Sequence, residues 1–543
     1  MNFKEVESDQ KLSGSYYTPY WLAEYIMRWV LESGSKKILE PSCGDGVFFD
    51  ALPNVDCGLS VLGFDINNIA TATCRDKLKN SKAKSKIFTR DFLQWAIENS
   101  MSENHETFDA VVGNPPFIRY QYWDNEMQNR AQQLFSLIGI KFSKHTNAWI
   151  PFVIASIKFL KAGGNLGMIL PSELLHVLYA KGLRDYLLQE CSQILLIDPE
   201  DIWFENTLQG VIVLMARKKV DLNQRTDGIS IVHTRGKSFT KTDPSDLFAN
   251  ADYVDGDFLK NKWTYALLTS EERHVYRSIC SLPNVFSFSK LATADVGIVT
   301  GANKFFLVPD SIVNKYHLQA VAHPMFGRSE HCPGIIYDQK QHSENARKGL
   351  PTNFLYFSNA EDQLAYKEYL KVGEAENLPK RYKCRIRDPW YKVPSVYASP
   401  LSMLKRSNGM PRLILNRLNA YTTDTAYRIS PAVGIDTTSL VICFLNSLTA
   451  LSAELEGRHY GGGVLELVPS EIDRLKVPYI SVPDVDISEL NEFVKKHSVD
   501  EILKQQDEII LSTLGVDEKQ VQILQNALTR IKDRRQRITE PED

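Results

Sequence analysis

A chain of 543 residues, 43% hydrophobic and 24% charged with a formal net charge of -3, has the composition of a globular protein of two or three domains. Its eight cysteines are scattered, with no Cys-x-x-Cys pair and no nearby His-x-x-x-His, so neither a zinc site nor a disulfide framework is suggested and no metal is expected. The N-terminus has no apolar core and no later apolar run reaches the length of a membrane span, so the expectation is a cytoplasmic protein with no membrane partner.

After a polar start, Ser13-Gly14-Ser15-Tyr16-Tyr17-Thr18-Pro19 reads as a turn feeding an amphipathic helix with Trp21, Leu22, Tyr25, Ile26, Trp29 and Val30 on its apolar face. Tyr17 and Thr18 stand at the helix entry, where backbone donors are unspent. Next, Lys37-Ile38-Leu39-Glu40 predicts a short strand running into Pro41-Ser42-Cys43-Gly44-Asp45-Gly46, whose glycines let a loop pass close under a ligand before a helix begins. A dinucleotide fold begins the same way. Its Gly-x-Gly-x-x-Gly fingerprint is incomplete here, however, and the acid Glu40 before the loop suits a cationic ligand.

Val61-Leu62-Gly63-Phe64-Asp65-Ile66 predicts a second strand ending in a carboxylate, the position from which a doubly wound sheet holds ribose hydroxyls. A third strand, Lys86 to Thr89, delivers Asp91 with Phe92 beside it, suited to an amino group and a stacked ring. The fourth is the apolar run Phe108 to Gly113, which ends in Asn114-Pro115-Pro116-Phe117. Each proline fixes its own φ and extends the residue before it, so this strand end is stiff, as positioned hydrogen-bond acceptors must be. Four consecutive strand ends thus carry polar side chains to one edge of a presumed parallel sheet, where open α/β sheets bind ligands.

Taken in order, Tyr17-Thr18-Pro19, Glu40-Pro41-x-x-Gly44-x-Gly46, Asp65, Asp91-Phe92 and Asn114-Pro115-Pro116-Phe117 resemble the S-adenosylmethionine-dependent DNA adenine-N6 methyltransferases of bacterial restriction-modification systems, in their gamma arrangement. The resemblance implies that the Thr-Pro entry and Glu40 face the methionine end of the cofactor, Asp65 the ribose and Asp91-Phe92 the adenine. The candidate cofactor set is Tyr17, Thr18, Glu40, Pro41, Gly44, Asp45, Gly46, Asp65, Ile66, Asp91, Phe92 and Asn114. The candidate catalytic set is Asn114, Pro115, Pro116 and Phe117. Phe117 stands where many members have Tyr, but stacking needs only the ring.

The chemistry explains the pattern. An adenine amino nitrogen is a poor nucleophile because its lone pair is delocalised into the ring. Acceptance of its two N–H bonds by the Asn114 side-chain carbonyl and the Pro115 backbone carbonyl draws it toward tetrahedral geometry and stabilises the charge it gains. A target inside a duplex must be flipped out, and aromatic faces must replace its lost stacking. Phe117 is one candidate face and Phe204, ahead of the strand Gly210 to Met215, is the second, with Trp203 as its rival.

Between these, a helix from Ala148 to Leu160 and a turn and strand from Gly163 to Pro171 read as scaffold, and the polar run Lys218 to Gln224 as an edge of the first domain. Further on the alternation of helix and strand fades. Val296 to Leu307 predicts a strand, a tight turn and a strand that resemble the opening of a target-recognition domain. Residues 380–428 hold 11 Lys plus Arg against 2 Asp plus Glu, a local charge of 11 - 2 = +9, interleaved with aromatics. Such concentration is a nucleic-acid footprint, with Lys380, Arg381, Lys383, Arg385, Arg387, Trp390 and Arg417 as candidate DNA contacts; a solvated basic face is the plainer reading. Arg458-His459-Tyr460-Gly461-Gly462-Gly463 resembles a motif near the end of such domains, close either to DNA or to a turn. The last sixty residues read as polar helices whose basic tail, Arg530 to Arg537, is expected to be solvated.

The sequence therefore predicts an α/β, doubly wound Rossmann-like methyltransferase domain over 1–235, a mixed α+β target-recognition domain over 236–480 and a helical segment over 481–543. The resemblance implies double-stranded DNA as the partner, and a cognate restriction endonuclease encoded separately is compatible with the chain. Methyltransfer to RNA or to a protein glutamine, a cytosine N4 target, and a catalytically silent DNA-binding relative are the rival readings.

Overall fold

A computed structural model describes residues 18–536 apart from 33, 55–57, 200–202, 204–209, 222, 260–261, 359–361, 461–462 and 483–484. The described chain divides into two compact units, the first running to Thr269 and the second from Ser270 to Gln536. Tyr17 and Phe204, and the glycines 461 and 462, lie outside the described residues.

The first unit is built on one eight-stranded sheet. Its strands are β1 (Lys37–Glu40), β2 (Ser60–Asp65), β3 (Lys84–Thr89), β4 (Phe108–Gly113), β5 (Leu160–Pro171), β6 (Cys191–Pro199), β7 (Val211–Lys218) and β8 (Gly228–Thr234), in the spatial order β3-β2-β1-β4-β5-β7-β6-β8. The pairs from β3 to β5 are parallel, as is β6 with β8, and β7 alone runs antiparallel to both neighbours. Central strands in such a sheet are covered on both faces, which is why β4 reads as a continuous apolar run with Phe108, Ala110, Val111 and Val112 all fully buried. The exception proves the point: Asp109, in that run, accepts the backbone N–H groups of Lys36 and Lys37 at 2.9 and 2.8 Å and so pins the start of β1.

The connecting helices follow the expected pattern. They are α1 (Tyr20–Glu32), the short α2 (Val47–Asp50), α3 (Asn68–Leu78), α4 (Phe92–Met101), α5 (Asn125–Ile138), α6 (Trp149–Phe159) and α7 (Lys181–Glu190). Three begin on acid or amide caps: Asn67 accepts from Ile69 and Ala70, Asp91 from Gln94, and Asp124 from Met127. Trp29 of α1 stacks on Phe248 at 5.1 Å, and Tyr25 meets Phe239 edge-on at 4.9 Å. Those contacts carry residues beyond 235 into the first core, so the unit ends at Thr269 and not at the expected 235. The polar run begins at Lys218, the last residue of β7, and leads on to β8 of the same sheet, so it is not a domain edge.

The second unit has a five-stranded sheet in the order Ala292–Val296, Ala426–Pro431, Leu401–Leu404, Leu413–Asn416, Ile336–Tyr337, antiparallel except for its last pair. The expected hairpin after Val296 differs: Asn303–Phe306 is a helical turn before the short strand Leu307–Val308, because Phe305 and Phe306 both turn into an apolar core. Helices Ile487–Lys496, Val499–Thr513 and Glu518–Gln536 close the chain, as the sequence predicts, but they belong to this unit and not to a separate segment. Asp507 accepts from the Ser447 backbone N–H and hydroxyl at 2.8 and 2.6 Å and from Gln525 at 2.8 Å, binding two of these helices to the helix Ser447–Glu456.

The basic tail is corrected too. Arg535 is buried, its guanidinium gripping the Glu454 carboxylate at 2.7 to 3.1 Å and donating to the Gly463 carbonyl. Arg530 pairs with Glu272 and Lys532 with Asp500, so three of the expected solvated charges are spent within the unit. Among the described residues no single helix is long and apolar enough to cross a membrane.

Candidate functional site

The chain leaves β1 toward β2 and β3, then returns to lay β4 on the other side of β1. The carboxyl ends of β1 and β4 therefore flank the point where strand order reverses, the crevice in which open α/β sheets hold ligands. A cavity of about 630 Å³ opens there, lined by Thr18, Glu40, Pro41, Gly44, Asp45, Asp65, Ile66, Asp91, Phe92 and Asn114, and by Pro116. Residues spread over a hundred positions of sequence are thus brought to one cleft of ligand size. Gly46 stands behind it at φ +90°, where an added Cβ would lie 2.8 Å from the Cys74 sulfur, so both conformation and space call for glycine.

Glu40 is the anomaly of the cleft. The residue is 1% exposed, and its Oε2 has no hydrogen-bond partner among the described residues. Burial, and then the neighbouring acidic groups Cys74, Asp65, Asp45 and Asp50, hold its pKa well above the ordinary carboxylate range. A buried acid with an orphaned oxygen at a ligand cleft is a receptor for positive charge, which would supply the missing partner.

Asn114 follows β4 directly, and its surroundings lock it. The Ser42 hydroxyl donates to its backbone carbonyl at 3.1 Å, and its side-chain Nδ2 donates to Thr18 Oγ1 at 3.2 Å. The second bond joins two features that the sequence marks 96 positions apart. It engages the amide through an N–H, the half that acceptor chemistry does not use. Pro115 is buried and Pro116 half-buried. Phe117 is half-buried and packs on the core of the first unit, while its neighbours Pro116 and Ile118 face the cleft.

On the other side of β1, Asp65 accepts from the Gly44 and Asn67 backbone N–H groups at 2.9 and 2.8 Å, which tie the glycine loop to the end of β2. Its spare lone pairs suit hydroxyl donors. Asp91 caps α4 through Gln94 N at 3.0 Å and pairs with Arg130 at 2.8 Å. Phe92 is buried against Phe64, Trp95 and Phe152 at 5.4 to 5.8 Å, and Phe152 joins it on the cleft wall. Acid for a cation, acceptors for hydroxyls, and an acid with an aromatic wall for a base edge make a donor set that fits a cationic nucleoside.

Sequence reasoning missed Ser42, Asn67, Thr73, Met127 and Phe152 on the cleft wall, and Arg130 behind it. Asn67 carries a signal as a helix cap ahead of α3, and Ser42 lies within the glycine loop itself; the others sit in helices with ordinary spacing. Trp203, the rival to Phe204, stacks on Phe239 at 5.4 Å and meets Trp21 edge-on at 5.3 Å, so it is core.

In the second unit the basic set separates into two groups. Lys380, Arg381, Lys383, Arg385 and Arg417 are exposed, with Lys383 Nζ 5.6 Å over the ring of the exposed Tyr382. Arg387 and Trp390 serve the unit itself. Arg387 donates to the Thr300 and Val299 carbonyls at 2.7 Å each, and Trp390 packs on Phe305 at 5.3 Å under Gly373, where a Cβ would meet its ring at 2.4 Å.

Two family models match the chain: Eco57I restriction-modification methylase over residues 57–203, and Type II methyltransferase M.Eco57I, C-terminal domain, over residues 260–511. The chain is similar to Type II methyltransferase M.AccI of Acinetobacter calcoaceticus, 22% identical over 86% of this chain and 85% of that protein. M.HindII of Haemophilus influenzae is 23% identical over 67% of this chain and 71% of that one. Among solved structures it is similar to the type IIG restriction endonuclease BpuSI, at TM-score 0.44 and 14% identity, over 96% of this chain and 66% of that chain.

Proposed function

From the premise that this chain is a DNA methyltransferase of the restriction-modification kind, we propose that it methylates the N6 amino group of an adenine flipped out of double-stranded DNA, with S-adenosylmethionine as donor. The observation that carries the reading is the convergence of Glu40, Asp65, Asp91 and Asn114, four strand ends, on one cleft. Bound there, S-adenosylmethionine supplies an electrophilic methyl group on a sulfonium centre.

The protein's part is positioning and charge. Glu40 meets positive charge at the end of β1, Asp65 accepts from ribose hydroxyls, and Asp91 with Phe92 takes the adenine of the cofactor. The Asn114 side-chain carbonyl and the Pro115 carbonyl accept the two N–H bonds of the target amine. These acceptors stabilise the positive charge that the nitrogen gains, which a metal or a separate nucleophile need not do. Thr18 and Ser42 hold Asn114 from side chain and backbone, so the acceptors are set before substrate arrives. Phe117 offers a face to the flipped base, and Phe204 a second. The exposed cluster Lys380, Arg381, Lys383 and Arg385 with Arg417 contacts DNA phosphate and base edges.

The test is nucleoside analysis of duplex DNA incubated with the protein and isotopically labelled S-adenosylmethionine. Label in N6-methyldeoxyadenosine supports the reading. Label in N4-methylcytosine, or label absent from DNA and found only when RNA or protein is supplied instead, overturns the choice of target.

A further inference from the structure

We propose that Arg130, on the helix that follows the catalytic loop, is a positioning residue that sets the base selectivity of the cofactor cleft; the proposal rests on the reading of that cleft as an S-adenosylmethionine site. The geometry begins with Asp91. Its Oδ1 accepts the Gln94 backbone N–H at 3.0 Å as the cap of α4, and its Oδ2 accepts Arg130 Nη1 at 2.8 Å. One lone pair of each oxygen is thereby spent, and the carboxylate is held at two points while it still lines the cleft. What it offers a ligand is acceptor capacity in a fixed direction.

Arg130 is itself held on three sides. Nε donates to Gln94 Oε1 at 3.0 Å, Nη1 to Asp91 and Nη2 to Glu126 Oε2 at 2.6 Å. Gln94 is steadied in turn by its donation to Glu98 Oε1 at 2.8 Å. A planar guanidinium fork can engage three acceptors in one plane, whereas a lysine ammonium at the same place would hold Asp91 as a point charge without fixing its roll. The same helix, α5, puts Met127 on the cleft wall, and the catalytic loop adds Ile118. The ion pair therefore joins the base edge of the cleft to the helix that follows the catalytic loop.

A fixed acceptor discriminates by complementarity. Adenine presents a donating amino group at C6; hypoxanthine presents a carbonyl oxygen there. Facing a held carboxylate, the first completes a hydrogen bond and the second sets acceptor against acceptor, and a site built to receive a hydrogen bond rejects the analogue that cannot make it. Loss of Arg130 frees one end of the carboxylate, which lets it swing away from either base, so selectivity falls along with affinity.

The experiment is calorimetric binding of S-adenosylhomocysteine and of its hypoxanthine counterpart, S-inosylhomocysteine, to the full chain and to Arg130→Gln, Arg130→Lys and Asp91→Asn, with thermal melts to confirm folding. The full chain is expected to prefer the adenine ligand by about tenfold or more. Arg130→Gln should lower that ratio at least fivefold, chiefly by weakening the adenine ligand, and Arg130→Lys should recover part of it. If Arg130→Gln does not fold, the ratios of Arg130→Lys and Asp91→Asn decide. Equal weakening of both ligands, with the ratio unchanged, would overturn the proposal and make Arg130 a helix brace. An unmodified chain with no preference between the ligands would overturn the Asp91 assignment on which the proposal stands, and one that binds neither would overturn the cofactor reading itself.

Discussion

Replacement of Arg535 by Met removes a charge from the interior of the second unit and leaves its partner behind. The Arg535 and Glu454 side chains are 0% and 2% accessible, and the carboxylate is held bidentately, by Nε at 2.8 Å and Nη2 at 2.7 Å. Burial pushes the Glu454 pKa up and Arg535 pulls it back, so without the guanidinium the buried acid must either stay charged with the His459 ring, 3.5 Å away, beside it, or take up a proton. The carbonyls of Gly463 and Asn408 lose a donor as well. Breaking a buried pair from one side costs about 3–5 kcal/mol. For a unit of this size that is a fall of roughly 10 °C in its melting transition. Differential scanning calorimetry of the full chain reads it, with hydrogen exchange across residues 447–466 and 518–536 assigning the loss to this unit. Glu454→Gln combined with Arg535→Met, which removes both charges, should restore more than half of the lost stability. A fall below about 2 °C for the single variant would refute the buried pair.

Three further outcomes follow from the cleft and the basic surface. Asn114→Ala removes one of two amine acceptors and should lower the single-turnover methyl-transfer rate by about 10²–10³-fold with DNA affinity retained; undiminished transfer would contradict its role. Glu40 keeps a proton above the ordinary carboxylate range, so a cationic ligand that favours the ionised form should bind with proton release, and affinity should rise with pH until Glu40 is ionised without it. Titrations in buffers of different ionisation heat would detect that proton, and Glu40→Gln should abolish it. The same shift means that Glu40's own contribution to stability is complete below the ordinary carboxylate range and is lost as pH rises through its raised value. Alanine at Lys380, Arg381, Lys383 and Arg385 together should reduce the salt slope of DNA binding by up to about 3–4, whereas Arg387→Ala should chiefly lower the melting temperature.

The parts of the fold and the cleft that the sequence made legible are those in which local pattern and final position coincide. A strand with buried apolar residues followed by a polar residue announces Glu40, Asp65 and Asn114, while Asp91 follows the largely polar edge strand β3 and is marked by its acid-aromatic pair; strand order then delivers all four to one edge. Arg130 left no such mark, because it is an ordinary helical charge until α5 packs beside α4 and brings it to Asp91. Trp390 and Arg387 illustrate the reverse error: composition places them in a basic aromatic patch, while their partners, Phe305 and the Val299 and Thr300 carbonyls, are some 85 positions earlier and cannot be read from charge density. Arg535 is illegible for a related reason. A run of terminal cations looks solvated until a buried acid on another helix is found opposite one of them.

Expression of the chain in a host free of DNA methylation, followed by sequencing that detects modified bases directly, tests the central claim. N6-methyladenine is expected at one recurring sequence motif, and is expected to be absent in the Asn114→Ala strain. A genome without modified adenine, from cells in which the protein is folded and binds S-adenosylmethionine, would contradict it.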